Sequence, residues 1–202
     1  MKMLSCSLSC CALLLGCPDV EKPDDNINAN EVITTVELTF TPVGGGEALV
    51  FKHADKENDG DPVIDPVVLP RGAWAMGVRF LNELEDPAED ITLEIKDEES
   101  DEHQVLVYGS GVASPATGDN AAALVTVAYD DADDNGFPVG IAHTVDAATA
   151  GVAELNLMLR HLPPENGTAV KNGTVAADFA AGGSGAIGGE VDADVAFPLM
   201  VP

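Results

Sequence analysis

The chain has 202 residues, 46% of them hydrophobic, with 35 Asp and Glu against 9 Lys and Arg and a formal net charge of −26. That excess of acid excludes nucleic-acid binding, which needs a basic stripe to neutralise phosphates, and opposes adsorption to anionic headgroups. The hydrophobic fraction excludes a disordered acidic tail and suits one domain with a sizeable core.

Met1-Lys2-Met3 supplies one positive charge, and an apolar run from Leu4 to Leu15 follows, interrupted only by small Ser and Cys. A membrane span needs roughly 20 apolar residues, so this run reads as the charged and apolar regions of a signal peptide. It ends Leu14-Leu15-Gly16-Cys17, which resembles the lipobox of bacterial lipoproteins. The signal peptidase takes a small residue before the cut, and only a thiol forms the lipid thioether. Residues 1–16 are therefore expected to be removed and Cys17 to be lipidated. The cut takes away Cys6, Cys10, Cys11 and Lys2 but no acid, which leaves Cys17 as the one mature cysteine and a charge of about −27. The mature domain then has no disulfide, and its stability rests on its core. Residues 17–30, from the lipidated cysteine through a polar, acidic, turn-rich stretch, read as a flexible tether.

From Glu31 to the end a single domain is expected, and its apolar period is two. Val32, Val36, Leu38 and Phe40 share one parity, as do Trp74, Met76, Val78 and Phe80. Val125, Val127 and Tyr129 alternate likewise, then Val139, Ile141 and Val145, then Leu155, Leu157 and Leu159, and finally Val191, Ala193, Val195, Phe197, Leu199 and Val201. Alternation of this kind makes strands with one buried and one wet face. Shorter strands are expected at 47–53 and 104–108, and turns at Gly44-Gly45-Gly46, Asp59-Gly60-Asp61-Pro62 and Asn135-Gly136. One segment departs from the pattern: Pro87, early acids, Ile91 and Ile95 predict a short helix near 87–97. Residues 163–189, rich in Gly, Ala, Asn and Thr, read as a long loop with room for one weak strand. The expected fold is all-β: an antiparallel β-sandwich of immunoglobulin-like or Greek-key type with that one helix.

Gly183-Ser184-Gly185-Ala186-Ile187-Gly188 fits G-x-G-x-x-G, but it leads into a strand rather than a helix, so it reads as a flexible glycine loop. Two acidic turns have oxygen donors at alternate positions before a glycine: Asp131, Asp133 and Asn135, and Asp55, Glu57, Asp59 and Asp61. Such spacing can wrap Ca²⁺, although the twelfth positions hold Ala142 and Pro66 where an EF-hand needs a bidentate Glu. The competing reading is an ion-free Asp/Asn/Gly hairpin turn. All four histidines, His53, His103, His143 and His161, fall on the apolar parity of their strands. An alternative transition-metal site therefore consists of His103, His143 and His161 on adjacent strands, set against histidines packed at the core edge. No G-x-S-x-G elbow, H-E-x-x-H helix or P-loop is present, so no catalytic residue is assigned and a non-enzymatic protein is expected. Asn166-Gly167-Thr168 and Asn172-Gly173-Thr174 are sequons on paper and read better as Asn-Gly turns.

The runs Glu31–Val36, Phe80–Glu83, Pro87–Thr92, Asp101–Gln104, Leu159–His161 and Gly189–Val195 resemble a family of uncharacterised Bacteroidetes-type lipoproteins. The likeness covers most of 31–110 and, more thinly, 120–202. It implies an all-β exported domain and carries no activity with it. The expectation from the sequence is a cell-envelope lipoprotein, anchored by Cys17 to the outer membrane on its periplasmic or exterior face. It acts as a binding module for an envelope protein or glycan; alternatively it binds a small ligand or a metal ion, Ca²⁺ on the acidic loops or a transition metal on the histidines.

Overall fold

The computed structural model describes residues 31–202 apart from position 169. The chain forms two sheets that enclose one main core. The first carries β1 (Thr35–Pro42), β2 (Leu49–Ala54), β3 (Val63–Ile64), β5 (Gly72–Asn82), β8 (Val112–Ala113), β9 (Val125–Tyr129) and β10 (Ala142–Ala147) in the order β3-β2-β1-β5-β10-β9-β8, with β6 (Glu89–Asp90) paired to the end of β5. The second runs β4-β12-β11-β7, from β4 (Val67–Val68), β12 (Glu190–Val201), β11 (Gly151–His161) and β7 (His103–Tyr108). Pairing is antiparallel except at β8–β9 and β4–β12.

Alternation explains how the sheets meet. Val36, Leu38 and Phe40 of β1 stand opposite Phe80, Val78 and Met76 of β5, and all six point inward. Trp74 and Val145 continue that layer. Leu155, Leu157, Leu159, Phe197 and Leu199 of the second sheet close the core from the other side. Burying a side chain of this size contributes about 1.5–3 kcal/mol. The all-β sandwich read from the sequence is the fold observed.

The short helix is α1 (Ile91–Asp97), somewhat later than the 87–97 expected from Pro87, because Glu89 and Asp90 pair with β5 first. It buries Ile91, Thr92 and Ile95, and Thr92 accepts a hydrogen bond from the Phe80 amide. The region 163–189 is not simply a loop. It holds α2 (Val175–Gly182) and a 3-10 turn at Ser184–Ala186. Val175, Ala176 and Phe179 cover the outer face of the second sheet by packing on Leu106, Met158 and Leu162, a second and smaller core. Its alanine-rich composition, with the glycines that follow it, hid this helix from a period-based reading.

β12 carries the second departure. Leu159 pairs with Ala193 but Arg160 pairs with Val191, so Asp192 is the extra residue of a β-bulge. The bulge reverses the phase of the strand. Val191, expected on the inner parity, packs against the outer-face cluster, and the side chain of Asp192, expected on the wet face, is fully buried.

Candidate functional site

The start of β7, the end of β11 and the bulged start of β12 meet at one end of the second sheet. His103 and His161 are directly paired across β7 and β11, and their side chains continue the inward rows of Val105 and Val107 and of Leu157 and Leu159. Their rings stack with centroids 4.4 Å apart and planes 5° from parallel. Both residues are buried.

Carboxylates surround the pair. His103 Nε2 lies 3.3 Å from Asp192 Oδ2, and Nδ1 lies 3.5 Å from Glu99 Oε2 and 3.3 Å from the Glu99 carbonyl oxygen. His161 Nε2 lies 3.6 Å from Glu102 Oε2. One ligand atom each from Glu99, His103 and His161 falls within 4.8 Å of the others, and Glu31, Glu94 and Glu99 form a second such group. Burial, then the Glu94 and Glu99 carboxylates, push the Glu31 carboxyl up to about 7. Glu94 is raised by burial and by Glu99 and Glu98. His103 Nε2, His161 Nε2 and both oxygens of Asp192 have no hydrogen-bond partner among the described residues. A cleft of about 390 Å³, lined by Pro163, Pro164, Glu165 and Asn166, opens onto His161.

His143, the third member of the expected set, stands apart. It faces the core of the first sheet beside Tyr129, with ring centroids 5.2 Å apart, and burial lowers it to about 4. His53 lies on the edge of a smaller cleft between β1, β2 and β12, packed edge-on to Phe197. The expectation of three converging histidines is thus corrected to two, because β10 belongs to the opposite sheet.

The acidic turns are held together by their own backbones. Asp55 accepts from the amides of Asp59 and Gly60, and Asp59 accepts from Asp61. Glu57 is exposed. Asp131 reaches to the start of β10 and accepts from the amides of Gly140, Ile141 and Ala142 at 2.7–2.9 Å. Asp133 accepts from Asn135 and Phe137, and its second oxygen pairs at 2.9 Å with the buried ammonium of Lys171. In this arrangement Asp55, Asp59, Asp131 and Asp133 spend carboxylate oxygens on backbone amides and a lysine, while Glu57 and Asp61 stay exposed. Neither turn gathers three carboxylate or imidazole atoms within 4.8 Å of one another among the described residues. Cys17 lies outside the described residues.

The sequence pointed to His103 and His161 through their parity. Asp192, Glu99 and Glu102 gave no such signal: Asp192 depends on the bulge, and the two glutamates are scattered in an acid-rich stretch between α1 and β7. Comparison with family models, with curated proteins and with solved structures gives no match to this chain.

Proposed function

We propose that the protein is a cell-envelope lipoprotein, tethered through Cys17, whose β-sandwich is a non-enzymatic binding module that takes its ligand at the histidine–carboxylate end. The observation that carries the reading is the stacked, buried His103–His161 pair with both Nε2 atoms unpartnered among the described residues and the carboxylates of Glu99, Asp192 and Glu102 at 3.3–3.6 Å. Buried polar groups are nearly always hydrogen-bonded, and open imidazole and carboxylate atoms gathered in one place favour a ligand site over packing alone. Its position also fits a tethered protein. Glu31, where the expected tether joins the domain, is one of the carboxylates of the cluster. The Leu15-Gly16-Cys17 motif and the resemblance to Bacteroidetes-type lipoproteins support the anchor. Nothing in the acidic surface would hold the domain on a membrane without a lipid.

Metabolic labelling with an alkyne fatty acid tests the anchor. The wild-type chain is expected to take up label and fractionate with membranes, and Cys17→Ser to lose both. Label retained by Cys17→Ser, or a wild-type protein wholly in the soluble fraction, overturns the anchored reading.

A further inference from the structure

We propose that Glu99, His103 and His161 bind one divalent transition-metal ion of the Zn²⁺ class, with Asp192 as the outer partner that orients His103. The inference rests on the reading of this end of the sandwich as the ligand site and names the ligand.

The first argument is the proton count of His103. Both ring nitrogens face oxygen acceptors, Nε2 the carboxylate of Asp192 and Nδ1 the side chain and carbonyl of Glu99. A neutral imidazole has one N–H. If Nε2 donates to Asp192, the lone pair of Nδ1 points at oxygen lone pairs, and the arrangement repels itself. Either a second proton or a cation must lie between them. A second proton, on the ring or on the carboxyl of Asp192 or Glu99, would meet that need for His103 alone and leave His161 Nε2 without a partner among the described residues. A metal ion at Nδ1 meets the same need and also uses His161.

The second argument is the donor set. Two imidazoles and a carboxylate suit Zn²⁺, Fe²⁺, Ni²⁺ or Cu²⁺, whereas Ca²⁺ and Mg²⁺ prefer all-oxygen sites. Ligand atoms on a tetrahedral ion with arms of about 2.0–2.1 Å stand about 3.3 Å apart. The three atoms here lie within 4.8 Å, but ring planes 5° from parallel do not aim two in-plane lone pairs at one point, so binding must turn one imidazole about its Cβ–Cγ bond as well as close the partly buried Glu99 side chain onto the set.

The third argument is the support around it. A metal-bound histidine usually donates its other N–H to a carboxylate, which fixes the ring and its tautomer. Asp192 stands in that place, 3.3 Å from His103 Nε2, turned inward by the bulge and buried with neither oxygen hydrogen-bonded among the described residues. Among the described residues no ion pair joins a lysine or arginine to the cluster. Lys52, Lys56, Arg79 and Lys171 pair with Glu37, Glu83, Asp90 and Asp133, all outside the cluster. Arg160 lies near enough to feel Asp192, but its N–H groups go to the carbonyls of Ile187, Gly188 and Gly189 and to Ser184. The cleft beside His161 gives the ion an approach.

The test is a calorimetric titration of the full chain with Zn²⁺ after chelator treatment, with thiols alkylated so that cysteines cannot contribute, and a parallel Co²⁺ titration read by its visible absorption. One ion per chain is expected. His161→Gln should weaken binding at least a hundredfold, and Glu99→Gln at least tenfold. Asp192→Asn should weaken it about 10–100-fold while keeping the Co²⁺ spectrum, as an outer partner does. His143→Gln and Asp59→Asn should leave affinity unchanged. Because His161 and Asp192 are buried, the partly exposed Glu99→Gln, with an unchanged far-ultraviolet circular dichroism spectrum, keeps the test independent of folding. No uptake by the folded wild-type chain overturns the proposal and assigns the pair to protons. Uptake that survives both His161→Gln and Glu99→Gln also overturns it. Fatty-acid labelling reads the anchor separately, so either idea can fail without the other.

Discussion

Lys171 is a buried ammonium that joins its own segment to two others. Its Nζ donates to the Ser100 carbonyl at 2.6 Å and pairs with Asp133 at 2.9 Å, which ties the segment before α2 to the α1–β7 connection and to the β9–β10 turn. Burial pulls the Lys171 pKa down. It pushes Asp133 up, but the ammonium and the Phe137 and Asn135 amides outweigh it and hold that carboxyl low. Removing one member of such a pair strands the other charge and costs about 3–5 kcal/mol. Lys171→Met is expected to lose that much in urea unfolding, and Lys171→Met with Asp133→Asn to recover most of it. A single variant within 1 kcal/mol of wild type would show that the pair does not hold these elements. His143 makes a different prediction, in pH. The Asp131 carboxylate favours the protonated ring, yet burial dominates and lowers it from 6.5 to about 4. The unfolded chain then binds the extra proton first. The stability from keeping His143 neutral is complete above about pH 6.5 and declines as pH falls towards 4. The span is worth about 3 kcal/mol at one pKa unit per 1.36 kcal/mol. Unfolding free energies of His143→Leu measured from pH 7 to 4 should show a correspondingly shallower decline than wild type; parallel curves would refute the assignment.

At the scale of elements, strands with one wet face wrote themselves into the sequence, and elements covered on both sides did not. The rows Val36–Leu38–Phe40 and Leu155–Leu157–Leu159 were legible because their outward neighbours are polar. Leu106 and Met158 broke the alternation of their strands, and the reason is α2, whose Ala- and Gly-rich composition concealed it. The candidate site divides in the same way. The parity of His103 and His161 could be read directly, but a bulge moves one residue without any compositional mark, so Asp192 stayed hidden. Gly189 sits where β12 begins, with φ +75°, and a Cβ there would lie 1.9 Å from the His161 carbonyl oxygen. Gly189→Ala must therefore displace either the bulge or the end of β11. It is expected to lower stability and, through Asp192 and His161, to weaken Zn²⁺ binding as well. A variant with wild-type stability and affinity would separate the glycine from the site. Phe179→Ala probes the outer layer. The ring is buried edge-on to Tyr108 at 5.1 Å, and its loss should cost about 3 kcal/mol in urea unfolding.

For the whole molecule the governing quantity is charge. Thirty-five acids against nine bases leave most surface carboxylates without an opposite partner, and each exposed pair contributes little in any case. Among the described residues the lysine and arginine ion pairs are Lys52–Glu37, Lys56–Glu83, Arg79–Asp90 and Lys171–Asp133, which leaves the acids to repel one another. Self-repulsion of this kind works against the compact state, and its range is set by salt: about 30 Å at 0.01 M and about 8 Å at 0.15 M. At low salt, acids on both sheets therefore oppose folding together, whereas at 0.15 M only neighbours do. The urea midpoint is expected to rise from 10 to 150 mM NaCl with little change in slope, and then to flatten as the range falls below the spacing of neighbouring charges. The core cannot produce that dependence, since apolar burial responds weakly to so little NaCl. Zn²⁺ added at constant 150 mM ionic strength separates the two effects: a site at Glu99, His103 and His161 raises the midpoint further in wild type and not in His161→Gln, while screening acts on both alike. A midpoint indifferent to NaCl would mean that the acids are too widely dispersed to repel, and that the charge acts on solubility alone.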